Sequence, residues 1–283
     1  MFIDIRVSPA FYEPINEDPQ VEEMRHNVLN IHKNGTAPLE HIYNQMNLAG
    51  LDMLGIHPID YTTAIGRAVV TNEEIAELVE MGKGRFIGFA SVDPLDEKAC
   101  EKLEKAFTDL KLKGLSLHPG RGKYMPDDPH LEKIYQICEK YDKPIVFHSG
   151  LSWEPETEVK YCTPLAFEPV AYNHPNLRIC LAQFGWPFVR ETAMLMVKYA
   201  NVYTDTGALY FDNATEFYTQ MLTKDIPITW IDRSLRHQVM FGSANPRFEQ
   251  IRMAEAIQKM GFRESTLELI KGVNAMDFLG WLS

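Results

Sequence analysis

The sequence predicts a single parallel (β/α)8 barrel. Three observations point to it: eight short apolar, β-rich runs, a polar or glycine-containing turn after each, and longer amphipathic stretches between them. Strands and helices in alternation pair in parallel through right-handed crossovers. Eight such units in 283 residues, without a break in composition, favour a closed barrel over a doubly wound sheet. No fixed-period repeat, low-complexity tract or Pro/Gly/Ser linker divides the chain, so residues 1–283 are taken as one domain.

In chain order the runs begin near Phe2, Leu51, Phe86, Gly114, Pro144, Leu177, Asn201 and Gln238. The first is followed by a long connection, Ser8 to Gly50, with helices expected over Gln20–His32 and Pro38–Ala49. Such a loop either covers the barrel mouth or forms the contact of a homodimer. Asn72–Met81 opens on an Asn cap followed by Glu73 and Glu74, and Asp96–Leu110 and Asp127–Tyr141 also begin on acids, which suit the positive end of a helix. Phe188–Tyr199 and Phe248–Met260 carry apolar residues at helical spacing, and Gly261 stops the second. The fifth run, Pro144-Ile-Val-Phe-His-Ser-Gly150, shows the pattern best. It reads as a buried parallel strand that delivers His148 to its carboxyl end, where barrels of this kind keep catalytic groups.

Composition narrows the partners. With 28 basic and 39 acidic residues the formal charge is −11, which argues against nucleic acid or an anionic membrane and leaves room for a local basic pocket. Cys100, Cys138, Cys162 and Cys180 are scattered without a Cys-x-x-Cys pair, as expected of a reduced, cytoplasmic protein. The start, Met-Phe-Ile-Asp-Ile-Arg, has no signal-peptide core, and no apolar run reaches about 18 residues, so a soluble chain is expected.

The strand ends collect the polar residues. The first ends Ile3-Asp4-Ile5-Arg6-Val7-Ser8 and the fourth Leu117-His118-Pro119-Gly120-Arg121-Gly122-Lys123. The sixth ends Leu181-Ala182-Gln183-Phe184-Gly185-Trp186-Pro187, the seventh Tyr203-Thr204-Asp205-Thr206-Gly207, and the eighth Phe241-Gly242-Ser243-Ala244-Asn245-Pro246. With Phe86-Ile-Gly-Phe-Ala-Ser-Val-Asp-Pro94 and Gly272-Val-Asn-Ala-Met-Asp-Phe-Leu-Gly280, the chain resembles the amidohydrolase-related TIM-barrel hydrolases and decarboxylases along nearly its full length. The resemblance implies a metal-dependent enzyme with histidines on the first, fifth and sixth strands and an Asp on the eighth.

The departures from that pattern shape the functional expectation. Arg6 and Ser8 stand where the first-strand histidines belong, Gln183 where the sixth-strand His belongs and Ala244 where the eighth-strand Asp belongs. His148 alone remains, and one histidine does not hold a catalytic zinc ion. No cofactor is therefore expected; the alternative is one zinc or manganese ion on His118, His148 and Asp205. Arg6 brings a fixed positive charge where the family has an ion, so the expected ligand is a small anion, clamped by Arg6 with Arg121 or Arg247. Lys123 adds charge to the same loop, and Trp153 and Trp186 are candidate pocket walls. The leading expectation is a hydrolase of a carboxylate-bearing ester or lactone. His148 serves as general base, Gln183 and Asn245 as oxyanion donors, and Asp205 as a second catalytic candidate or a loop acceptor. Decarboxylation of a small acid and non-catalytic carboxylate binding are the alternatives.

Overall fold

The structure, a computed structural model, describes residues 1–209 and 213–282. Eight of the strands described form the barrel wall: β1 (Ile3–Val7), β2 (Met53–Ile56), β3 (Phe86–Gly88), β4 (Leu115–Leu117), β5 (Ile145–Phe147), β6 (Ile179–Leu181), β7 (Val202–Asp205) and β8 (Val239–Met240). β1 to β3 and β4 to β8 are two continuous parallel ladders. A parallel bridge between Ala90 and Leu115 joins them on one side. On the other, Ile5 N–H donates to Phe241 O at 3.0 Å and Ala244 N–H to Arg6 O, which closes the cylinder.

The strands are apolar on both faces because each face meets protein. Ile3, Ile5, Ile87, Phe89, Val146, Cys180 and Met240 fill the barrel, while their neighbours Leu54, Phe86, Leu115, Ile145 and Phe147 pack outward under the helices. Several strands begin one or two residues later than the apolar runs, since the first residues of a run complete the preceding turn. Leu51 N–H, for example, donates to Met46 O at the end of a helix.

Local chemistry corrects some boundaries. The helix Asn72–Met81 is capped by Thr71 and not by Asn72: Thr71 Oγ1 accepts from Glu74 N–H at 3.1 Å and Glu74 accepts from Thr71 N–H at 2.7 Å. The Asn72 side chain instead ties the helix to Ser91 through both its oxygen and its nitrogen. In the first loop the helix Pro19–Leu29 stops three residues short of His32 because Asn30 turns left-handed at φ 52°, and Leu39–Ala49 stops at Gly50 at φ 71°. The antiparallel pair Ile59–Asp60 with Ala68–Val70 was not expected, because strands of two and three residues carry no readable period.

The long first loop lies over the carboxyl end of the barrel. Asn34 Nδ2 donates to Pro246 O at 3.1 Å and an Arg247 Nη2 hydrogen goes to Leu29 O at 2.5 Å, tying it to the loop after β8. No helix among the described residues is long and apolar enough to cross a membrane.

Candidate active site

The carboxyl ends of the strands open into a cavity of about 160 Å³, walled by Arg6, His57, His118, His148, Gln183, Asn245 and Arg247, with Leu29 and Ile31 of the first loop above it. That is room for roughly one ring-sized molecule, since voids of about 150 Å³ hold benzene. Strand geometry explains the gathering. Residues at the carboxyl edge of a closed parallel barrel converge on its axis from different parts of the chain.

At the floor, Arg6 is locked in place. Its Nε donates to Asp205 Oδ2 at 2.9 Å and its Nη2 to Gly207 O at 2.5 Å. Asp205, fully buried below it, also accepts from Gln183 N–H at 3.0 Å and Gly207 N–H at 2.8 Å through Oδ1. The carboxylate is thus engaged on both oxygens by chain donors, while Arg6, which lines the cavity, uses two of its five N–H hydrogens in bonds to the described residues. Asp4 performs a comparable task one turn down. It accepts from Ser243 N–H, Ser243 Oγ and Gln250 Nε2, which pins the loop after β8 to β1.

The three cavity histidines are held neutral. Burial lowers His57 to about 4 and His118 to about 3. His148 lies well below its ordinary value, first through burial and then through His118, Arg6 and Arg247. The rings of His118 and His148 stack face to face, 3.9 Å apart and 7° from parallel. His57 stacks on Phe89 and donates from Nε2 to Ile5 O at 2.8 Å, so its neutral tautomer has a bare Nδ1. His118 Nδ1 accepts from Arg121 N–H at 3.2 Å, which puts the hydrogen of that ring on Nε2.

Gln183 stands beside His148, Nε2 to Nε2 at 3.4 Å, but both its amide hydrogens go to the carbonyls of Ser149 and Leu151. Its amide therefore shapes the loop after β5, and donation to a substrate oxyanion falls to other groups. Asn245 Nδ2 likewise donates to Phe248 O at 3.3 Å. Arg247 leans over the ring of Trp153, 6.0 Å from its centroid, and both line the cavity. Arg121 is buried outside the wall, under the ring of Tyr61 and paired with Glu156. Lys123 is an exposed partner of Glu158, and Trp186 packs against Phe217, away from the cavity.

His57 and Glu154 are among the wall residues not singled out from the sequence. His57 follows β2 in Gly55-Ile-His-Pro58, the same strand-end signal that marked His148, and was open to the same reading. Glu154 left no such signal. It sits in the loop after β5, only 8% exposed, with Tyr61 Oη donating to its Oε2 at 3.3 Å. Burial raises it to about 7, against the opposing pull of Arg121 and Arg247. Among the described residues no three His, Cys, Asp or Glu side chains are grouped so as to hold a metal ion.

Comparison with known proteins gives the lineage. The sequence model described as Amidohydrolase matches residues 51–281. A 2-amino-3-carboxymuconate-6-semialdehyde decarboxylase from Dictyostelium discoideum is 25% identical over 253 residues, which cover 77% of this chain and 67% of that protein. An uncharacterized TIM-barrel protein from Bordetella bronchiseptica superposes with a TM-score of 0.78 at 19% identity, covering 99% of this chain and 98% of that one. The 5-carboxyvanillate decarboxylase of Sphingomonas paucimobilis superposes at 0.66 with 14% identity, over 99% and 98%. At such identities the two structures speak for the barrel fold.

Proposed function

The chain belongs to the amidohydrolase family of enzymes, and from that premise we propose that it is a carboxy-lyase releasing carbon dioxide from a small, ring-sized organic acid. The observation that carries the reading is a ring-sized cavity lined by two guanidinium groups, by neutral imidazoles and by Glu154, a carboxyl raised to about 7 and so able to supply a proton. Arg6 and Arg247 face it, while His57, His118 and His148 are all kept neutral and poorly basic. Hydrolysis asks a group of this cavity, Glu154 being the one near neutral pH, to act as a base on water, whose own pKa is about 15.7. Decarboxylation asks only for a bound anion, stabilisation of the electron pair left behind, and a proton. The curated relative is itself a decarboxylase, which supports this reading over the ester or lactone hydrolase first expected from the sequence.

In the proposed reaction Arg247 holds the substrate's anionic end at the rim, with Arg6 below. The carbon–carbon bond to the carboxylate breaks and carbon dioxide departs uncharged. The electron pair stays on the substrate carbon, where the remaining N–H groups of Arg6 stabilise it until a proton arrives.

The metal of the family does not suit the residues present. Two imidazoles stacked 3.9 Å apart and almost parallel aim their nitrogens along separate planes and do not converge on one ion. The Asp205 carboxylate is already taken by Arg6, Gln183 N–H and Gly207 N–H, and a guanidinium beside it repels a cation. The proposed chemistry accordingly runs on side chains alone.

The test is a panel of ¹³C-carboxyl-labelled ring and unsaturated aliphatic acids, together with lactones and esters of the same size. Labelled carbon dioxide with a product one carboxyl shorter is expected. A ring-opened or cleaved acid that retains every carbon would establish hydrolysis instead. Binding without any product would leave only a carboxylate-binding barrel.

A further inference from the structure

We infer that Glu154, hydrogen-bonded by Tyr61, is the acid of this site, taking up a proton as an organic anion binds and handing it to the carbon that carbon dioxide leaves. The inference rests on the carboxy-lyase reading for the second half of that statement only.

Glu154 lines the cavity, is nine-tenths buried, and reaches it from the loop after β5, alongside Trp153. Its two carboxyl oxygens differ. Oε2 accepts from Tyr61 Oη, whereas Oε1 has no hydrogen bond among the described residues. On a carboxyl that lines the cavity, the proton is therefore carried on Oε1, because Tyr61 occupies Oε2 as a donor.

The charged groups around it set how readily the proton is held. Arg121, under the far side of the Tyr61 ring, and Arg247 across the rim both favour the ionised form; Glu156 disfavours it, and Tyr61 favours the ionised form through its hydrogen bond. Burial outweighs them and leaves the group poised at about 7, the region where a proton donor works best at neutral pH. An incoming carboxylate brings its own negative charge close, and that change favours protonated Glu154. The neighbouring imidazoles do not compete for that role, because they hold no proton to give at neutral pH without becoming anionic.

The proton balance closes without another reactant. The Glu154 carboxyl loses its proton to the substrate carbon, the new C–H bond replaces the broken C–C bond, and the resulting carboxylate is recharged from water as the next anion binds.

Proton uptake is measurable without turnover. Calorimetric titration of benzoate and 2-hydroxybenzoate at pH 7, in phosphate and in Tris, reads protons taken up from the difference in apparent heat between the buffers. Uptake of about half a proton per bound anion is expected in the wild type, falling to near zero in Glu154→Gln, with binding retained in both. The same uptake in Glu154→Gln, or none in the wild type, overturns the inference. Should neither probe bind, the carboxylate-site reading fails, and Glu154 is judged on the free protein. There, a ¹³C-glutamate carboxyl resonance absent from Glu154→Gln titrates near pH 7 if the inference holds; titration in the ordinary carboxylate range overturns it. Uptake that persists while no acid on the panel loses carbon dioxide retires the carboxy-lyase reading and leaves the proton-coupled anion site standing.

Discussion

At the scale of single residues, the cavity has a pH signature with a definite sign. Burial lifts Glu154 from 4.5 to about 7, so the folded chain holds that proton more tightly than the unfolded one. Its contribution to stability is intact in acid and is lost as pH rises through 7. Glu154→Gln is therefore expected to match the wild type near pH 4 and to exceed it at pH 8, by on the order of 3 kcal/mol from about 1.4 kcal/mol per unit. Urea midpoints at the two pH values check this, and a variant no more stable at pH 8 contradicts it. His57, lowered to about 4, works the other way, its contribution being lost as pH falls from 6.5 through 4. Gly207 offers a way to move Arg6 without replacing it. A Cβ there would press into the Arg6 guanidinium and lie 2.9 Å from Asp205 Oδ1, so Gly207→Ala is expected to fold but to bind benzoate about tenfold more weakly. Unchanged affinity in that variant would remove Arg6 from the anion site.

At the scale of elements, what holds the site are ties between strand ends rather than individual strands. The buried pair of Arg6 and Asp205 links β1 to β7, so Arg6→Met strands a buried carboxylate and is expected to cost about 3 to 5 kcal/mol. Arg6→Met combined with Asp205→Leu is expected to recover most of that loss in chemical denaturation, and a double variant as unstable as the single one would deny the coupling. The helix Asn72–Met81 shows how far the sequence was legible. Its extent followed from periodicity and acidic residues, but its cap was misplaced by one residue because Thr71 and Asn72 are both good caps. What decided between them is Ser91, which engages the Asn72 side chain from the segment after β3 and is invisible to local sequence. Thr71→Ala is expected to cost about 1 kcal/mol of stability through the lost cap, and no change in the unfolding midpoint would contradict that role.

At the scale of the whole molecule, the barrel was legible because its signal is repeated eight times and each strand is apolar on both faces. Arg6, His118, His148, Gln183, Asn245 and Arg247 of the cavity wall were legible too, since strand-end polar residues in a closed parallel barrel converge whatever their separation in sequence. What the sequence did not disclose is environment. His148 invited assignment as a base at its ordinary value, yet burial, and after it neighbours from three other strand ends and their charges, keep it neutral. Glu154 stands out only once the first loop and the loop after β5 fold over the mouth and bury it. On the proposed reading a braced guanidinium stands where the family has an ion, and carboxylates are handled with side chains alone. The most direct test is carbon dioxide release from the labelled acid panel before and after exhaustive chelation, with metal content measured alongside. The account predicts an unchanged rate in metal-free protein and loss of the rate in Glu154→Gln; a rate abolished by chelation and restored by zinc or manganese would contradict it.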